Sequence, residues 1–301
     1  MTGIDTRDAG EIAAELTEIR ARDPGAVARA AQARKRRETP YNDSGRTLIV
    51  AADHPARGSL AIGGRSMAMA DRAELLARLR IALARPGVTG VLAAADVLED
   101  LLLLGALDDK LVFGTMNRGG LAGSAFEIDD RFTAYDADGI VASGLDGGKM
   151  LLRIDVGDPA TADTLESCAR AVSALAARHR LAMIEPFMSE RVDGRVRNDL
   201  SPDAVIHAIT VAAGLGTTSA YTWLKIPAIP DPGDMARVLA ATTLPVLVLG
   251  GELDDESGSV YERWRTALRL PSVRGLVAGR ALLYPPGGDV AGVVDRIAGL
   301  C

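Results

Sequence analysis

From Thr47 onward the chain alternates short apolar runs, many of them β-branched, with longer amphipathic stretches, and it does so eight times. The runs are Leu48 to Ala52, Gly90 to Ala93, Leu111 to Phe113, Gly148 to Ile154, Leu181 to Ile184, Tyr221 to Ile226, Val246 to Leu249 and Gly275 to Ala278. A strand that is apolar at nearly every position has to be covered on both faces, as in a parallel sheet flanked by helices. Helical patterns at Asp71 to Ala84, Val97 to Leu107, Ala162 to Arg178, Pro202 to Ala213, Asp234 to Ala241, Val260 to Leu268 and Val290 to Ile297 supply that cover. Eight βα units with no Gly-x-Gly-x-x-Gly after the first strand predict an α/β fold of the closed kind, a (β/α)8 TIM barrel, rather than an open doubly wound sheet. The stretch from Gly114 to Leu145 is the weak unit, because its Gly and Asp content predicts a long loop with at most a poor helix or a hairpin. Ahead of the barrel, Asp8 to about Thr39 reads as two helices with Ile12, Leu16 and Ile19 on one apolar face. The predicted division is an N-terminal helical extension, residues 1–46, and one barrel domain, residues 47–301, since no linker rich in Pro, Ser or Gly interrupts the chain.

Composition narrows the possible partners. Aromatic residues make up only 4% of the chain and Ala, Gly, Val and Leu dominate, a supply suited to helices packed closely on a buried sheet. A net charge of -6 argues against nucleic acid, and the basic run Arg34, Lys35, Arg36 and Arg37 is read as a solvated helix end. No apolar stretch reaches the ~20 residues of a membrane span, and the N-terminus is polar rather than signal-like, so a cytoplasmic location without membrane contact is expected. Cys168 and Cys301 have no metal-ligand spacing and are expected to be reduced and chemically silent. His54, His179 and His207 show none either, so neither a metal nor another cofactor is expected. Apolar helix faces make a homo-oligomer the expected assembly.

In a barrel of this kind the chemistry lies at the C-terminal ends of the strands, so polar residues that end or break apolar runs are the candidates. Asp53 follows the first run, Lys149 begins the fourth, Glu185 follows the fifth, and Lys225 interrupts the sixth. The lysines carry the most information, because the chain otherwise prefers Arg for its positive charges. A charge alone can be Arg, whereas a Schiff base needs a primary amine able to lose its proton near neutral pH. Burial and a second nearby ammonium both lower an amine's pKa, and Lys149 is placed to supply that second charge. Strands four and six, being both even, contribute to the same interior layers, so the two amines are expected to converge. Glu185 then stands between them as a proton shuttle, or as a plain ion-pair partner. Asp53 opens the loop after the first strand and can accept a substrate hydroxyl, hold Lys225 in place or cap the following segment. Gly250-Gly251 and Gly279-Arg280 follow the last two strands, where barrels often bind phosphate through glycine amides and an Arg side chain.

At these positions the sequence resembles the class I, Schiff-base aldolase superfamily, most nearly its tagatose-bisphosphate and sulfofructose-phosphate branch, related to archaeal-type fructose-bisphosphate and deoxyribose-phosphate aldolases. Asp53-His54-Pro55-Ala56-Arg57-Gly58 is similar to that branch's Asp-Gln-Arg-Gly loop, though two residues longer, and implies a substrate contact for Arg57. Gly147-Gly148-Lys149-Met150-Leu151-Leu152, Ile184-Glu185-Pro186-Phe187, Leu224-Lys225-Ile226-Pro227 and Val277-Ala278-Gly279-Arg280-Ala281 match its later motifs in the same order. The resemblance implies a metal-independent aldehyde-lyase. In it Lys225 forms the imine, Glu185 and Lys149 move protons, Asp53 assists, and Arg57, Gly250, Gly251, Gly279 and Arg280 hold substrate. It further implies cleavage of a phosphorylated ketose or keto sugar acid with release of dihydroxyacetone phosphate. Candidate substrates are 5-dehydro-2-deoxy-phosphogluconate, a ketose bisphosphate and sulfofructose phosphate. The rival readings are a non-covalent sugar-phosphate isomerase or lyase on the same barrel, and a non-catalytic sugar-phosphate binding protein. The segment from Gly250 to Asp255 is more acidic than a phosphate loop usually is.

Overall fold

A computed structural model describes residues 9–250 and 257–301. Two helices, α1 (Ala9–Arg22) and α2 (Ala26–Ala33), precede β1 (Thr47–Ala52), a 3-10 turn (Pro55–Arg57) and α3 (Arg72–Leu83). Next come β2 (Gly90–Ala93), α4 (Ala95–Leu103), β3 (Leu111–Thr115), α5 (Ala137–Ala142), β4 (Gly147–Ile154) and α6 (Ala160–Ala177). After these follow β5 (Leu181–Val192), β6 (Arg195–Asp199), α7 (Pro202–Ala213), β7 (Thr222–Ile226), α8 (Pro232–Leu239) and β8 (Val246–Leu249). The chain ends with α9 (Ser257–Leu268), β9 (Val273–Ala278), α10 (Arg280–Leu283) and α11 (Val290–Ala298).

Eight of the strands pair in parallel in the order β1, β2, β3, β4, β5, β7, β8, β9 and back to β1, which closes the predicted (β/α)8 TIM barrel. Alternation along each strand sorts the side chains into two cores. In β1, Leu48, Val50 and Ala52 face the helices, while Ile49 and Ala51 join Leu92, Phe113, Met183, Trp223, Leu247 and Val277 inside the barrel. Where β9 meets β1, Gly275 has φ 153°, and a β-carbon there would lie 1.9 Å from the Thr47 carbonyl oxygen, so only glycine fits. Asp71, Asp136, Ser201, Asp231 and Asp289 cap α3, α5, α7, α8 and α11 by accepting a backbone N–H of the first turn. Each such cap contributes about 1 kcal/mol.

The helical extension is part of the barrel's support. Ile12 and Leu16 of α1 are buried, with α1 against α3 and α2 against α4. Beyond α2, Tyr41 stacks on Trp223 with ring centroids 6.0 Å apart, and Trp223 in turn meets Phe113 at 6.2 Å, so the segment after α2 packs on the barrel's interior core.

Two expectations change. The run Arg34 to Arg37 is not a solvated helix end. Arg34 is 1% exposed at its side chain and pairs at 3.3 Å with Asp146, which also takes Arg36 and the Val112 N–H. Arg34 further donates to the carbonyls of Lys110 and Gly144. The cause is geometric: the run crosses beneath the strand ends, where Asp146 and these carbonyls need cations and donors. Secondly, the fifth strand does not stop at Ile184. It continues to Val192 and folds back as β6, antiparallel, through Asp193 (φ 51°) and Gly194 (φ 77°). Asp-Gly between two extended runs is a hairpin signal, with both central residues at positive φ. Past the end of β3 at Thr115, the stretch to Leu145 holds only the short α5, as its composition predicts.

Candidate active site

Four side chains meet at the upper, C-terminal end of the barrel. Lys149 sits in β4 on the inward face, since its neighbours Met150 and Leu152 face the helices. Glu185 stands two residues above the interior Met183 in β5, and Lys225 two above the interior Trp223 in β7. Asp53 follows β1 directly. The Lys225 amine lies 2.9 Å from Glu185 Oε1, while the other Glu185 oxygen, Oε2, contacts Lys149 Nζ. Lys149 Nζ also lies 3.2 Å from Asp53 Oδ2. One carboxylate therefore bridges two amines, and both lysine side chains are almost entirely buried, at 2% and 6% exposure. Asp53 holds Lys149, so of the roles open to it from sequence, support of Lys225 by direct contact is not the one formed.

Burial alone would raise the Glu185 carboxyl, but the Lys149 and Lys225 ammonium groups outweigh it and hold it at about 2. Asp53 behaves alike: burial opposes its charge, yet Lys149 and Arg118 keep it well below the usual carboxylate range. Burial lowers the Lys149 amine, against the pull of Asp53 and Glu185. Both carboxylates are thus ionised at neutral pH, and Lys149 is the amine that burial pushes toward its neutral form.

Arg118 escaped the sequence reading. It comes from the loop after β3, and its guanidinium donates to Asp53 Oδ2 at 2.5 Å, to the Asp53 carbonyl at 3.2 Å and to Thr115 Oγ1. The preceding Asn117 fixes that loop: its amide nitrogen donates to the Leu151 carbonyl at 2.5 Å, and its side-chain oxygen accepts the Leu151 N–H at 2.9 Å. A single side chain thereby continues the β3–β4 ladder past the end of β3. The only available signal was a polar Asn-Arg pair two residues beyond Thr115, in a stretch without periodicity.

The expected anion contacts fare unevenly. Arg57 does not face an open site; its guanidinium donates to the carbonyls of Gly120 at 2.8 Å and Asn117 at 2.7 Å and pairs with Asp130. Its two terminal nitrogens are taken by the loop after β3, which it fastens to the loop after β1, while its buried Nε has no hydrogen-bond partner. Gly250 is needed for close packing on Ala278, and its N–H donates to the Val277 carbonyl at 2.9 Å, so that amide is not available to an anion. Gly251 lies outside the described residues. Gly279 and Arg280 open α10 at the mouth. A β-carbon on Gly279 would come within 2.4 Å of the Ala51 carbonyl and 2.9 Å of His54 Cε1, so the glycine leaves room for the His54 ring. His54 Nδ1 stands 3.8 Å from Asp53 Oδ1. Burial first, then Arg280 and Lys225, lower its imidazole to about 4 and keep it neutral.

Among the described residues no group of three or more His, Cys, Asp or Glu is placed to hold a metal ion. None of their helices is long and apolar enough to cross a membrane.

The fold and this cluster define a (β/α)8 barrel with a buried lysine–carboxylate network at its mouth. The chain belongs to the Cgl0159-like family, whose model matches residues 45–298. It is 51% identical to Cgl0159 from Corynebacterium glutamicum (Brevibacterium flavum), whose crystal structure superposes with a TM-score of 0.92 over 96% of both chains. Its fold is also shared with Schiff-base-forming fructose-1,6-bisphosphate aldolase, at 18% identity and a TM-score of 0.65 over 87% of this chain and 96% of the other. An archaeal fructose 1,6-bisphosphate aldolase gives 19% identity and the same TM-score, over 87% and 95% of the two chains. No curated protein matches the sequence.

Proposed function

We propose that this protein is a class I aldolase that cleaves a phosphorylated ketose or keto sugar acid through a Schiff base on Lys225. The observation that carries the reading is the bridging of two buried amines by Glu185. An ion pair kept only for stability does not call for two primary amines on one buried carboxylate in an otherwise Arg-rich chain. The shared fold supports it, since one protein of this fold is an archaeal fructose-1,6-bisphosphate aldolase with its catalytic lysine covalently bound to the carbinolamine intermediate of the substrate.

In this mechanism the Lys225 nitrogen attacks the ketone carbonyl, and loss of water from the carbinolamine gives an iminium. The Glu185–Lys149 pair takes the proton of the hydroxyl on the carbon beyond the bond to be broken. The O–H electrons form the aldehyde carbonyl, the C–C bond breaks, and its pair moves to the iminium nitrogen, leaving an enamine. The same pair returns the proton to the enamine carbon, and water releases the second product, dihydroxyacetone phosphate. Gly279 and Arg280, at the start of α10, would hold the phosphate in this reading. The substrate is a small soluble molecule, which suits a cytoplasmic enzyme.

Incubation with dihydroxyacetone phosphate and borohydride should fix the ketone's carbon skeleton on the peptide containing Lys225, read by mass spectrometry. Lys225→Ala should abolish both the adduct and cleavage. Wild-type protein that turns over phosphorylated ketoses without an adduct would instead favour non-covalent lyase or isomerase chemistry.

A further inference from the structure

Five ionisable side chains meet in the network: Asp53 at the end of β1, Arg118 from the loop after β3, Lys149 in β4, Glu185 in β5 and Lys225 in β7. Three are cationic when protonated and two anionic, so a fully ionised cluster carries one positive charge in excess. An excess charge in a buried site is relieved by loss of a proton from the group best able to give it up. Arg118 cannot do so, because a guanidinium stays protonated in proteins. Both carboxylates that touch Lys149 are already shared: Asp53 Oδ2 with Arg118, and Glu185 with Lys225.

We propose that Arg118 is a positioning residue that sets the charge of Lys149: as the permanent counter-ion of Asp53, it lets Lys149 give up its proton and serve as the base that accepts the substrate hydroxyl's proton. This rests on the aldolase reading of the same site and assigns the proton within the Glu185–Lys149 pair. The geometry is specific. Arg118 binds Asp53 through both its carboxylate and its carbonyl and is steadied by Thr115 Oγ1, so its charge cannot swing away. The side chain is 6% exposed, and water screens it little. Without it, two ammonium groups and two carboxylates would balance, and both amines would be held as cations. In the reaction Glu185, which touches both amines, first passes the Lys225 proton to Lys149, so that Lys225 attacks as the free amine. Lys149 gives that proton to the departing water, so it is neutral again once Lys225 is an iminium cation, and the hydroxyl proton then passes to Lys149 Nζ, making an ammonium. The electron flow to the iminium is as described above, and the same proton later returns to the enamine carbon. The downward displacement of Lys149 by burial, to which Lys225 and Arg118 add, is in the direction the assignment needs.

The chain has four lysines, Lys35, Lys110, Lys149 and Lys225, so full-length protein labelled with [ε-13C]lysine gives a spectrum in which each can be followed against pH. The Lys149 signal is identified by its loss in Lys149→Arg. In wild type it should titrate below the ordinary lysine value of about 10.4. In Arg118→Gln its midpoint should rise by about one pH unit or more, the size expected when a neighbouring buried charge is removed. The acidic limb of turnover should move the same way, and Arg118→Lys should restore most of both. A wild-type midpoint at or above the ordinary value overturns the assignment whether or not the variants fold. So does an unmoved midpoint in Arg118→Gln with a rate that falls equally at every pH, the mark of a purely structural role. The signal needs no turnover. Failure of borohydride trapping at Lys225 with the Lys149 shift intact would therefore sink the aldolase reading and leave Arg118 as the setter of Lys149's charge.

Discussion

Glu185 touches both amines with its two oxygens, so its charge is what the mouth of the barrel is built around. Glu185→Gln keeps the shape and removes the charge. It should lower kcat by roughly 10²- to 10⁴-fold, the usual worth of a positioned acid or base, while leaving the fold intact by circular dichroism; single-turnover cleavage measures it. The four residues of the cluster were legible because each ends or breaks an apolar run, and a polar group there has few places to go except the barrel mouth. Arg118 was not legible, because it reaches Asp53 from 65 positions away along the chain, out of a segment with no repeat to reveal its direction. Arg57 misled for the same reason. Sequence shows that a loop contains an arginine but not which way it turns, and here the nearby carbonyls and Asp130 hold it.

Among the elements, the loop after β3 decides most. Asn117 satisfies the buried N–H and C=O of Leu151 in place of a further strand residue. Asn117→Ala should leave both orphaned and cost about 2–4 kcal/mol, measured by urea unfolding. It should also loosen Arg118 and lower kcat more than it raises KM. The barrel strands were readable because burial on both faces leaves an unbroken apolar run. The extension of β5 into the β5–β6 hairpin was missed because Glu185 and Pro186 break the apolar run and Ser189, Glu190 and Arg191 follow as a polar stretch, although Glu185 to Met188 still pair with β4. Its turn signal at Asp193-Gly194 was on view all the same.

At the scale of the whole molecule, stability depends on both ends of the barrel. Asp146→Ala at the lower end should leave the buried Arg34 guanidinium without its carboxylate and cost about 3 kcal/mol. It lies opposite the mouth, so kcat should hold; thermal unfolding beside an activity assay checks both. The mouth sets the acid limit. His54 is held near 4, below its unfolded value of about 6.5. The unfolded chain therefore takes up its proton first, and this group weakens the fold as pH falls from about 6.5 to about 4. Glu185, depressed to about 2, contributes stability that is full above its unfolded value near 4.5 and is lost as pH falls toward 2. Melting temperatures should thus decline in two successive stages below neutrality. His54→Asn should remove the upper stage, and Glu185→Gln should reduce the lower, to which the depressed Asp53 also contributes.

The stack of Tyr41, Trp223 and Phe113 packs aromatic rings beneath the amines, at the end of the barrel away from the mouth. For a reaction that holds one fragment covalently above those rings, the mouth would serve for arrival and departure alike. In the proposed reaction the ketone fragment would stay tethered to Lys225 until water hydrolyses the imine. Product release would then be ordered by that tether, with the aldehyde first and the ketone second.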